Sequence, residues 1–109
     1  MDATRLPELV DRLLTTAHAA RSGRAAHTLY GSADHRLRQT VIALVAGHGL
    51  TDHESPGESS LQVLRGHVTL STKDAQWEGV DGDLLAIPPE RHGLTAQQDS
   101  AVLLTVITG

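Results

Sequence analysis

The chain is 109 residues long, the length of one domain, and 39% of it is hydrophobic, enough for a single core. With one Trp, one Tyr, no Phe and a net charge of −4, it has neither the aromatic platform that stacks bases nor the basic stripe that holds phosphates, so nucleic acid is not an expected partner. The absence of Cys removes disulfides, thiolate zinc sites and cysteine nucleophiles, leaving seven His as the main source of metal-ligand chemistry.

Met1 to Arg5 carries no basic leader, and no stretch nears the ~20 apolar residues of a membrane span. The expectation is a cytoplasmic protein with no membrane partner. The first element is a helix. Leu6, Leu9, Val10, Leu13, Leu14 and Ala17 recur at helical spacing, Pro7 suits a first turn, and Glu8 favours the N-terminal dipole. Arg21-Ser22-Gly23-Arg24 stops it. A helix this short needs its apolar stripe covered by something else.

After Gly23 the apolar period drops from that of a helix to that of a strand. Expected strands are Ala26–Tyr30, Leu37–Ala46, Ser60–Arg65, His67–Thr72, Gln76–Val80, Asp83–Ile87, Gly93–Ala96 and Ala101–Thr108. Turn residues separate them at Gly31-Ser32, Gly47-His48-Gly49, Ser55-Pro56-Gly57, Gly66, Asp81-Gly82 and Pro88-Pro89. Short strands with no helix between them exclude a parallel βαβ sheet and predict an all-β sandwich or barrel. The expected division is a helix and linker over residues 1–25 and a β-barrel domain over residues 26–109.

Two segments carry the candidate chemistry. In the first, Gly47 is followed by His53, Ser55, Ser59 and Gly66; in the second, Gly82 is followed by Pro88 and His92. These frames resemble the two motifs of the cupin family. The first of those motifs runs Gly, five residues, His-x-His, three or four residues, Glu, six residues, Gly. The second runs Gly, five residues, Pro-x-Gly, two residues, His. His92 arrives one residue early for it. The resemblance covers Leu37 to Thr108. It implies a small cupin barrel, a double-stranded β-helix or jelly roll, with one N-terminal α-helix packed outside.

In metal-binding cupins the ligands are two His and a Glu from the first motif and one His from the second. Carried over residue by residue, these positions are His53, Ser55, Ser59 and His92. The resemblance therefore implies a ligand-binding barrel mouth of His53, Ser55, Ser59 and His92. It also implies a degenerate metal site of His53 and His92, for Fe, Mn, Ni, Zn or Cu. A hydroxyl is a poor substitute for imidazole or carboxylate, and two His alone leave a divalent ion mostly water-bound. An alternative makes His53 and His92 a hydrogen-bonding pair at the mouth that binds nothing.

Other residues have plainer expectations. Glu58 and Gln62 have the wrong strand parity to refill the site, and no spacing fixes His27, His35 or His48 near the mouth. His18 and His67 belong at the surface, Trp77 is expected buried at a sheet or dimer surface, and Asp83 and Arg91 are expected as turn and rim charges. No nucleophile elbow, phosphate loop or dinucleotide fingerprint occurs.

Three functions stay open. The first is a small-molecule-binding cupin with a metal-poor pocket. The second is a metal-dependent isomerase, cyclase or oxygenase with recruited ligands. The third is a structural or interaction module whose barrel is filled with Leu and Val. Strand edges in so small a barrel need covering, so a homodimer is expected.

Overall fold

The computed structural model describes residues 3–55 and 57–108. Among these residues one helix, α1 (Leu6–Ala19), precedes nine strands: β1 (Arg24–Tyr30), β2 (Leu37–Leu44), β3 (Gly49–His53), β4 (Ser59–Arg65), β5 (His67–Ser71), β6 (Gln76–Val80), β7 (Leu84–Ala86), β8 (His92–Ala96) and β9 (Ser100–Ile107). They form two antiparallel sheets, of order β1-β2-β9-β4-β7 and β3-β8-β5-β6. The sheets face each other as a jelly-roll barrel.

The central strands explain why part of the sequence reads as a continuous apolar run. On β2 and β9, Ile42, Leu44, Val102 and Leu104 point into the barrel, where they meet Val68, Leu70 and Leu94 of the opposite sheet. The alternate residues Val41, Ala43, Ala101 and Leu103 form the other face, which α1 covers with Leu9, Val10, Leu13 and Ala17. A strand buried on both faces loses its alternation. Arg5 gives α1 no side-chain cap, so the helix depends on this packing. Burial of each Leu or Val contributes roughly 1.5–3 kcal/mol.

The far end of the helix is pinned electrostatically. His18 Nε2 lies 2.6 Å from Asp99 Oδ2, and the Ala46 N–H donates to Asp99 Oδ1 at 3.0 Å. The Ala46 N–H first, and His18 second, hold the Asp99 carboxyl below its ordinary value. A turn between β4 and β5 needs its glycine: Gly66 has φ 102°, and a Cβ there would run into Ser100 and Asp99.

The expected strands are all present, with ends shifted by no more than two residues, and one strand exceeds the expectation. β3 starts at the end of the Gly47-His48-Gly49 turn and runs through Leu50–His53, to which the sequence assigns no strand. Gly49, Thr51 and Asp52 carry no strand-like alternation, and the strand exists because β8 supplies its hydrogen bonds. Among the described residues no helix is long and apolar enough to cross a membrane.

Candidate functional site

β3 positions the first candidate residue through an irregularity. Gly49 lies opposite Thr95, Leu50 opposite Leu94, and His53 opposite His92. Three steps along β3 thus match two along β8, which is a bulge at Thr51 and Asp52. A regular strand would put Leu50 and His53 on opposite faces. The bulge turns both inward, on the side of Leu94 and His92. Arg91 braces it: Nη2 donates to the Asp52 carbonyl at 3.1 Å, and Nη1 lies 3.5 Å from Glu54.

The two imidazoles meet edge to face, with ring centroids 4.6 Å apart and planes at 62°. His92 is buried, at 4% exposure, whereas His53 is open to solvent. Each ring is held by the carbonyl two residues before it. His53 Nδ1 donates to Thr51 O at 2.9 Å, and His92 Nδ1 donates to Glu90 O at 2.8 Å. A carbonyl only accepts, so Nδ1 carries the hydrogen in both rings, and in the neutral rings Nε2 is left as a bare acceptor. The pair presents acceptors and no donor. Whatever binds there must bring a positive charge or a donor hydrogen.

Behind the rings the barrel is nearly full. The remaining space is about 30 Å³, walled by Ile42, Leu50, Leu61, Leu70, Ile87, Leu94 and Leu104. That is room for one or two water molecules and not for a ligand. Ser59 stands one inward position before Leu61 on β4, and its Oγ is buried with no hydrogen-bond partner among the described residues. Ser55, the second mouth position, lies in the turn after β3. Its Oγ donates to the Gly57 carbonyl at 3.2 Å, so the hydroxyl serves the turn after β3. Of the four residues the frames selected, His53 and His92 come together, Ser59 faces inward, and Ser55 stays in its turn.

The remaining histidines are used elsewhere. His27 lies opposite Val41, on the helix side of its sheet. His35 stacks on Tyr30 at 4.5 Å, and His48 lies against Gly23. His67 pairs with Glu78 at 3.1 Å. Gln62 lies opposite Leu103, on the outer face. Asp83 accepts the Val80 N–H at 2.9 Å and is a turn residue.

Among the further spaces, which no motif marks, two adjoin the four-stranded sheet. One, of about 360 Å³, is a shallow polar groove on the outer face of the four-stranded sheet, lined by Gly49, Asp52, Ser71, Gly93 and Thr95 among others. It is the larger of these two, but the histidines lie on the opposite face. The other, of about 190 Å³, adjoins the histidine chamber through their shared wall Leu70. Trp77, Leu85, Pro88 and Glu90 complete its lining with Thr72, Ala75 and Gln76.

No protein-family model matches the chain, and no curated protein does. Solved structures do match. A conserved protein of unknown function from Streptococcus pyogenes superposes with a TM-score of 0.73 at 23% identity, over 83% of this chain and 78% of that one. An RmlC-like cupin protein from Desulfovibrio desulfuricans gives 0.67 at 25%, over 77% and 81%. Salicylate 1,2-dioxygenase from Pseudoaminobacter salicylatoxidans, in an adduct with gentisate, gives 0.76 at 20%. It covers 92% of this chain, which spans only 31% of that one. The chain has the cupin fold.

The metal expected of that fold has an incomplete donor set here. No group of three or more His, Asp or Glu gathers among the described residues. Ser59 brings a hydroxyl where the motif has a carboxylate, and the Ser55 hydroxyl is engaged in its turn. Two imidazole nitrogens fall short of the three or more nitrogen, sulfur or charged oxygen donors that a firmly held divalent ion takes from the protein.

Proposed function

We propose that the protein is a ligand-binding cupin domain that works without a metal. It receives the donor end of a small molecule on Nε2 of His53 and His92, while the rest of that molecule stays outside the filled barrel. The observation that carries this reading is the pair of backbone carbonyls fixing both tautomers, which leaves two acceptors side by side. The buried Ser59 hydroxyl supports it as a further polar group on the inner face. No residue is assigned a catalytic role. A filled, purely structural barrel is the second reading, favoured by the small interior space of about 30 Å³.

Imidazole nitrogen NMR in the presence of a chelator tests the proposal. Both rings are expected to show a protonated Nδ1 and a bare Nε2. Small alcohols and amines are expected to shift both Nε2 signals, and a His53→Ala, His92→Ala double variant to lose the binding. No response to any donor-bearing compound would favour the structural barrel. Binding that appears only after a transition metal is added would overturn the metal-free reading in favour of a metal-dependent enzyme.

A further inference from the structure

The groove beside Trp77 lies where the two sheets part. β6 and β7 are the free edges of their sheets and share no ladder, so the barrel is open between them. The groove of about 190 Å³ has a wall of Leu70, Trp77, Leu85 and Pro88. Trp77 is held in place there: it lies opposite Leu70 on β5, and its indole packs over Gly79, where any Cβ would collide with the ring. A ring held in this way against an apolar wall is a preformed surface for another apolar body.

One lining residue is ionisable, and it is acidic. Glu90 makes no ion pair among the described residues. Its backbone is fixed on both sides, the N–H donating to Pro88 O and the carbonyl accepting from His92 Nδ1, each at 2.8 Å. Lys73 and Asp74, in the turn beyond Thr72, carry opposite charges that offset one another. The space is smaller than the roughly 300–1,000 Å³ of sites for drug-sized ligands, so its occupant is a single ring or a short chain.

We propose that this groove binds a compact organic ammonium ion, its apolar body on Trp77 and Leu70 and its charged head at Glu90. The inference goes beyond the histidine reading above, since the groove shares only Leu70 with the histidine chamber. The Trp77 ring adds the attraction of an aromatic face for a cation.

Trp77 is the only Trp in the chain, so its fluorescence reports on the groove alone. Benzylamine is the probe, with neutral benzyl alcohol and anionic benzoate as isosteric controls. Saturable change in Trp77 emission is expected with benzylamine, and binding about five- to tenfold tighter than benzyl alcohol, the worth of one charge-assisted contact. Glu90→Gln is expected to remove that preference while benzyl alcohol binds as before. Equal affinities for amine and alcohol, or no saturable change with any probe at millimolar concentration, would overturn the inference. The His53→Ala, His92→Ala variant separates the two proposals. If it binds benzylamine as the native protein does and Glu90→Gln does not, the groove stands without the histidines. If only the histidine variant loses binding, the ligand-binding reading stands and the groove falls.

Discussion

Ser59 stands on the inner face of β4 with a buried hydroxyl that has no partner among the described residues, and such a group costs about 1–3 kcal/mol relative to a paired one. The next two inward positions on the strand, Leu61 and Val63, hold the apolar residues such a position ordinarily carries. Ser59→Ala is therefore expected to stabilise the fold by about 1 kcal/mol, which raises Tm by roughly 4–8 °C for a domain of this size. Calorimetry checks this. A lower Tm would mean that the hydroxyl has a partner in solution. The same substitution is expected to weaken any ligand held at the histidines, a stability gain at the expense of function. Ser59, His53 and His92 were legible as a set because the glycines of the two frames fix their positions along the chain. The tautomers were not, because they depend on the carbonyls of Thr51 and Glu90, and any residue supplies a carbonyl.

At the scale of elements, the legible parts are those with a period. The stripe of α1 and the alternation of β4 and β6 follow from side-chain parity alone, and their limits fall within two residues of expectation. β3 lacks that signal for a physical reason: a bulge inserts one residue and resets parity in the middle of a five-residue strand. The same bulge turns His53 inward, so the hardest element to read is the one that builds the site. β6 offers a direct test of how Trp77 is held. Gly79 leaves room for the indole, and a methyl there would overlap the ring. Gly79→Ala is expected to cost about 1–3 kcal/mol through overpacking. It is also expected to shift Trp77 emission to the red as the ring moves outward. Unchanged emission together with unchanged stability would show that the ring is not seated on Gly79.

At the scale of the whole molecule, the described residues form two apolar clusters separated by one sheet. The barrel interior lies on one side, and the contact of α1 with β2 and β9 lies on the other. Asp99 joins the two, since the β8–β9 turn that carries it follows a barrel strand while its carboxylate grips His18 of the helix and the Ala46 amide after β2. Because the Ala46 N–H and His18 lower the Asp99 pKa in the folded state, the unfolded chain binds the proton more readily. Stability from this group is therefore fully present above the unfolded carboxyl value of 3.8 and is lost as pH falls through the lower folded value. Both side chains of the pair are well exposed, 54% for His18 and 42% for Asp99, so solvent screening keeps the contribution below about 1 kcal/mol. Asp99→Asn removes the charge and keeps an oxygen for the Ala46 amide. Urea unfolding is expected to show the variant less stable than the native chain at pH 6, with the gap closing as the pH is lowered through the range below 4. A gap that persists undiminished in acid would mean that Asp99 acts through shape rather than charge, and that α1 is held to the barrel by its apolar stripe alone.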